Sequence, residues 1–143
     1  MRIRFKFLKK GVFKYLSHLD TLNVLSRSIL RTGLKPVLSQ GFNPKPRLFL
    51  SNPIPLGIES IAEYGDIDLI NDVKAAQYIK KINKFLPAGF KVTEAIEVEK
   101  KVKNLMAQID IVVYEFSVDL NSCKSKASCS DIIKEWLKNN LLC

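Results

Sequence analysis

One histidine, three cysteines, a trio of acidic residues and a proline-stiffened basic loop are the parts of this 143-residue chain whose types could do chemistry. His18 stands next to Ser17 where a helical pattern begins, and an imidazole titrating near neutrality can act as general acid or base there. With Tyr15 or a lysine nearby it would suit metal-independent cleavage of RNA. A lone histidine at a helix start more often bonds locally or packs, so no catalytic residue is expected and His18 is the sole candidate. Cys123, Cys129 and Cys143 are odd in number and spaced unlike a C-x-x-C pair or a zinc finger, so they read as free thiols in a reducing compartment, with a stray metal ligand or a Cys123–Cys129 disulfide as the lesser alternative. Glu63, Asp66 and Asp68 resemble a metal cluster only in composition, because strand alternation puts Asp66 and Asp68 on one face and Glu63 on the other. A solvent-facing acidic edge is expected there, with no metal site and no cofactor.

The segment Gln40 to Arg47 is the better functional candidate. Gly41 lets backbone approach a ligand, Pro44 and Pro46 hold the loop rigid, and Lys45 and Arg47 supply charge for phosphate. Phe42 beside them can stack on an unpaired base, as single-stranded RNA is commonly held. The competing expectation is a well-made turn with a tucked-in Phe.

Charge points the same way. The chain carries a net +9, and residues 1 to 50 hold eleven Lys or Arg against one acidic residue, whereas the remainder is close to neutral. A localised positive field of this kind attracts phosphate-rich partners in a salt-dependent way, although a basic surface can also serve solubility alone. The expected contact residues are Arg2, Arg4, Lys6, Arg27, Arg31, Gly41, Phe42, Lys45 and Arg47. No apolar run approaches the length of a membrane span and the amino terminus lacks the solid apolar stretch of a signal peptide, so a cytoplasmic location and no membrane partner are expected.

These residues need elements to position them. Arg2 to Leu8 alternates, predicting a strand with Ile3, Phe5 and Phe7 on one face and Arg2, Arg4 and Lys6 on the other. Ser17 with Asp20 three residues on is capping-box-like and opens a helix that Gly33 ends. Its inner stripe is expected to be Leu19, Leu22, Ser26, Ile29 and Leu30 with Leu25 at the edge, while Asp20, Asn23, Arg27 and Arg31 line another face. That face is either solvated, with a local Asp-to-Arg pair, or a phosphate contact.

Further along, a strand is expected near Val37, a rigid loop from Gly41 to Pro46, and strands over Arg47 to Leu50 and Tyr64 to Ile70. A helix capped by Asp72 follows, with Ala76, Ile79, Ile82 and Leu86 inward, then a strand over Phe90 to Val98. Strand, helix, strand, strand, helix, strand is the split βαβ, ferredoxin-like order of an α+β domain, and it spans residues 1–99. Residues 100–143 are expected to add a strand from Ile109 to Leu120 and a helix from about Ser130 to Leu142, the start of a second, truncated unit or an appendage.

The runs Tyr15-Leu16-Ser17-His18-Leu19-Asp20, Ser39 to Leu48, Pro55 to Ser60 and Glu63 to Asp66, with Arg27, Arg31 and Gly33 between them, resemble a bacterial radical-SAM-associated domain of unknown function. The likeness is dense over residues 1 to about 70 and faint beyond. Members of that family usually run longer, so the resemblance implies an N-terminal fragment. It also implies a radical SAM protein as partner, because the three closely spaced cysteines of an iron–sulfur site are missing from this chain. The layout is similar, in fold alone, to CRISPR repeat-cleaving ribonucleases. The expected role is therefore an RNA-binding accessory domain, with an endoribonuclease using His18 or a protein-interaction module as alternatives.

Overall fold

The computed structural model of the chain describes residues 1–99, 105–117, 130, 131 and 133–135. It falls into two compact units, Met1–Asp110 and Ile111–Cys143. In the first, β1 (Arg2–Lys9) alternates half-buried and buried residues, placing Ile3, Phe5 and Phe7 in the core at 1% exposure or less. Period-two patterning does this directly, since successive strand side chains point to opposite faces. A 3₁₀ helix (Gly11–Tyr15) leads to α1 (His18–Arg31), followed by β2 (Leu48–Leu50), β3 (Ser60–Asp68), α2 (Ala75–Ile82), β4 (Phe90–Val98) and a second 3₁₀ helix (Leu105–Gln108). The strands form one sheet in the order β2-β3-β1-β4, with every neighbouring pair antiparallel. The unit is thus a mixed α/β domain with a four-stranded antiparallel sheet.

The start of α1 is written in the sequence as expected. The Ser17 hydroxyl accepts the Asp20 N–H at 3.1 Å and donates to the Asp20 carboxylate at 2.6 Å, so one side chain satisfies an orphan amide of the first turn while the other locks it in place. The inner stripe differs from expectation. Thr21, Leu25, Ser28 and Ile29 are buried, whereas Leu19 and Leu30 stand 62% and 53% exposed. The helix is rotated because Thr21 and Ser28 can face the core once their hydroxyls are bonded, Thr21 to the Ser17 carbonyl and Ser28 to the Phe85 carbonyl. Apolar periodicity alone cannot register such residues as inward.

In α2, Tyr78 and Ile82 are the buried residues, and the helix opens at Ala75 after Lys74 rather than from Asp72, with Ala76 exposed. Phe5 meets Tyr78 with ring centroids 5.6 Å apart, Phe7 stacks on Phe90 at 6.1 Å, and Phe13 meets Phe90 edge-on at 5.3 Å. Leu25, Ile29, Leu34, Leu48, Leu50, Ile67 and Ile82 complete this core between helices and sheet. Each fully buried large apolar side chain of this kind contributes about 1.5–3 kcal/mol, which makes the core the main stabiliser of the unit. Gly65 lies opposite Phe5 across the β1–β3 ladder, and a Cβ there would come within 2.6 Å of the Phe5 ring and 3.0 Å of Leu50. The glycine is what lets that ring lie across β3.

The strand expected near Val37 reduces to single bridges, Pro36 with Leu69 and Leu38 with Pro46, because prolines on both sides remove the amide donors a longer ladder needs. Residues 109–117 form no strand. They carry exposed apolar side chains such as Ile111, Val113 and Phe116, and among the described residues no strand pairs with them, while residues 118–120 of the expected strand lie outside the described residues. Of the expected final helix, residues 130, 131 and 133–135 are helical, and the remainder lies outside the described residues, as do all three cysteines.

Candidate nucleic-acid interface

Antiparallel register decides the fate of the strand cations. Arg2 lies directly opposite Asp68 and Arg4 opposite Asp66 on the β1–β3 ladder, on the sheet face away from α1 and α2. Residues directly opposite have their Cβ atoms about 5 Å apart, within easy reach of paired charges. Arg2 donates Nε to Asp68 Oδ1 at 2.8 Å and Nη2 to Oδ2 at 3.2 Å, and Arg4 makes the same fork to Asp66 with both contacts at 2.8 Å. Arg4 also donates Nη1 to the Gln108 side chain. The hydrogen bond to its aspartate, ahead of any charge effect, pushes each guanidinium above its ordinary pKa. Lys6 pairs with Glu94 on β4 at 3.0 Å and its ammonium is raised likewise, first by that hydrogen bond.

The expectation of a solvent-facing acidic edge is therefore corrected. Asp66 and Asp68 are 2% and 3% exposed and bound to arginines, while Glu63 is buried on the helix face beside Lys9, 3.8 Å away. Burial pushes the Glu63 carboxyl up, and the nearby Lys9 only partly offsets this. A count of charges along the chain misses these pairings because the cations and their carboxylates stand some sixty residues apart in sequence.

The loop is different. Val37 and Arg47 anchor its base, since the Arg47 N–H donates to the Val37 carbonyl at 2.8 Å. Nearer the apex the Ser39 N–H donates to the Lys45 carbonyl at 2.8 Å and the Ser39 hydroxyl accepts the Lys45 N–H at 3.0 Å. Ser39 thus closes a seven-residue ring from Ser39 to Lys45, with Gly41 at φ +136° where an L side chain would be strained. At its apex Phe42 is fully exposed, at 107% of the reference value. The expectation of a tucked-in Phe is overturned. An apolar ring held wholly in water lacks the burial that usually explains a Phe, and the closed backbone holds it there.

Arg27, Arg31 and Lys45 are exposed, and among the described residues none is held by a carboxylate. Asp20 spends its carboxylate on the α1 cap instead of an arginine. Arg47 is intermediate: its Nε lies 3.5 Å from Asp68 while its side chain is 48% exposed. His18 is half-buried at the first position of α1. Sequence reasoning missed Ser39, whose role depends on a bond that spans the loop, and Asp68, whose two arginine partners come together only in the folded sheet.

Among the described residues no group of three or more His, Cys, Asp or Glu could hold a metal ion, and no helix is long and apolar enough to cross a membrane. Fold and site together define a basic mixed α/β domain in which Arg2, Arg4 and Lys6 of β1 are paired with carboxylates, while the loop closed by Ser39 presents Phe42 and Lys45 to solvent. Residues 2–142 match the family described as an uncharacterized protein conserved in bacteria (DUF2344), and the chain belongs to that family. No curated protein matches it.

Proposed function

We propose that this protein is a cytoplasmic RNA-binding accessory domain that works beside a radical SAM protein, and that the loop from Gln40 to Arg47 is its contact. The observation that carries the reading is Phe42, presented wholly to solvent on a ring closed by Ser39 and flanked by Lys45 and Arg47. An exposed aromatic beside cations matches the way unpaired bases are held, the ring taking the base face and the cations the phosphates. The order β2-β3-β1-β4 supports placing the unit in the ferredoxin-like, split βαβ arrangement. The radical SAM partner rests on the sequence resemblance alone.

The interface on this reading comprises Gly41, Phe42, Lys45 and Arg47, with the exposed Arg27 and Arg31 of α1 as outlying cations. Arg2, Arg4 and Lys6 are left out because they are hydrogen-bonded to Asp68, Asp66 and Glu94, whereas Arg47 lies 3.5 Å from Asp68 with its side chain 48% exposed. Fluorescence anisotropy with labelled single-stranded U12 RNA across a salt series tests it. Each phosphate contact contributes about 0.7 to the slope of log affinity against log salt, so Lys45→Ala/Arg47→Ala is expected to weaken binding and to flatten the slope by roughly 1.4. Unchanged binding by that variant removes the loop from the account. Wild type and His18→Ala are both expected to leave the RNA whole.

A further inference from the structure

Asp68 occupies an unusual position between sheet and loop. Its carboxylate takes the Arg2 fork and also lies 3.5 Å from the Arg47 Nε. Its backbone does the same work: the Val37 N–H donates to the Asp68 carbonyl at 2.8 Å, and the Asp68 N–H donates to the Arg47 carbonyl at 3.2 Å. Both arms at the base of the loop are therefore tied to one residue at the end of β3. Beneath it Arg2 lies over the Phe49 ring, 5.7 Å from its centroid, so the guanidinium that shares Asp68 is itself held. Side chain and main chain together aim Arg47 from a fixed base.

We infer that Asp68 is a positioning residue that orients the Arg47 guanidinium toward a phosphodiester of single-stranded RNA, so that a buried carboxylate strengthens binding of a polyanion. This rests on the RNA reading of the loop and assigns the phosphate contact within it to Arg47. The physical case is pre-organisation. A guanidinium is a planar fork whose geometry matters as much as its charge, and one whose Nε edge is already drawn to a carboxylate 3.5 Å away loses less freedom when its remaining N–H groups meet a phosphate.

The inference makes a prediction whose sign is opposite to simple electrostatics. Asp68→Asn adds one positive charge to the protein, so a mere neutraliser at that position would, when removed, raise affinity for RNA. A positioning residue would, when removed, lower it. Anisotropy with labelled U12 is expected to show about 3-fold weaker binding for Asp68→Asn, within the range of a lost, partly exposed ion pair. Glu94→Gln makes the same change in charge on exposed β4 without touching Arg47, and its affinity is expected to equal or exceed that of wild type. Arg47→Lys, which keeps charge and sits on an exposed side chain, is expected to bind as weakly as Asp68→Asn, and it decides the matter if Asp68→Asn does not fold. Wild-type affinity in Arg47→Lys, or equal or tighter binding in folded Asp68→Asn, overturns the inference.

A readout without RNA separates its failure from that of the RNA reading. The ¹⁵N relaxation of the Arg47 Nε–H is expected to report a rigid group in wild type and Glu94→Gln and a mobile one in Asp68→Asn. Wild type that fails to bind U12 overturns the RNA reading and the phosphate role with it. RNA binding with an equally mobile Arg47 Nε–H in every variant overturns the positioning role alone.

Discussion

Strand β1 and the loop from Ser39 to Arg47 carry similar side chains, basic residues interleaved with Phe, and put them to opposite uses. On β1, Phe5 and Phe7 vanish into the core while Arg2, Arg4 and Lys6 turn to the other face and meet carboxylates. In the loop, Phe42 stands in water and Lys45 meets no carboxylate among the described residues. The difference comes from neighbours. A strand inside a sheet has cross-strand partners on both sides, so charge can be matched and rings covered, whereas the loop closed on itself by Ser39 meets β3 only at its base, where Arg47 faces Asp68. Positive charge near the amino terminus of this chain is therefore two populations, one structural and one available.

The largest test of this division is to break a structural pair. Asp66→Ala leaves the Arg4 guanidinium without its fork beneath a largely covered sheet face, and removal of one partner of a buried pair costs about 3–5 kcal/mol. Lys45→Ala, by contrast, should change stability by less than about 0.5 kcal/mol, as surface substitutions do. Urea denaturation of both variants checks this, and equal midpoints would erase the distinction between the two populations. Arg4→Met/Asp66→Leu, which removes both charges, is expected to recover most of the loss.

Next in size is the loop aromatic. Stacking of a base on an aromatic ring is worth about 1–3 kcal/mol, so Phe42→Ala should weaken U12 binding roughly 5- to 150-fold. Because the ring is fully exposed, the same variant should unfold at the wild-type urea concentration. A loss of stability instead would mean that Phe42 serves the fold.

A third test concerns the ion pair that β1 seats badly. Lys9 and Glu63 face the helices, lie 3.8 Å apart, and Glu63 Oε1 finds no hydrogen-bond partner among the described residues. Desolvation raises the Glu63 carboxyl in the folded protein, so folding favours its protonated form. The stability this contributes is full below the ordinary glutamate pKa and is lost as pH rises through the raised folded value. The advantage of wild type over Glu63→Gln in denaturant is therefore expected to shrink as pH climbs through that window, and an advantage that grows would contradict the buried assignment.

Much of the sheet was legible in the sequence because alternation is a local signal. Ile3, Phe5 and Phe7 could be assigned to the core from seven residues, Phe90 to Val98 matches β4 to the residue, and Ser17 with Asp20 marked the start of α1. The site was half legible. Residue types picked out Phe42, Lys45 and Arg47, but which cations are free depends on register, and register is a property of two strands. Thr21 and Ser28 misled for a related reason: a hydroxyl reads as polar in sequence and becomes a core residue once a carbonyl accepts it. Alternation also suggested a strand after Ile109, where the described residues form no ladder.

The smallest expected effects lie on α1, and they set the reach of the interface. Arg27 and Arg31 are both exposed and one turn apart, about 6 Å along the axis, and Arg31 is the nearer in sequence to Lys35, where the chain enters the loop. At physiological salt the Debye length is about 8 Å, longer than one helical turn, so a bound strand that is felt by one arginine is felt by the other as well, the farther one more weakly. Stability should be untouched in either alanine variant. For U12 binding, Arg31→Ala should cost about 3-fold and Arg27→Ala less, in keeping with exposed charges worth under about 1 kcal/mol. Both losses should fade as salt rises. If Arg27→Ala instead proves as damaging as Phe42→Ala, RNA runs along the helix and the loop is one end of a longer track. If neither arginine matters at low salt, recognition is confined to the ring that Ser39 closes and to Arg47 at its base.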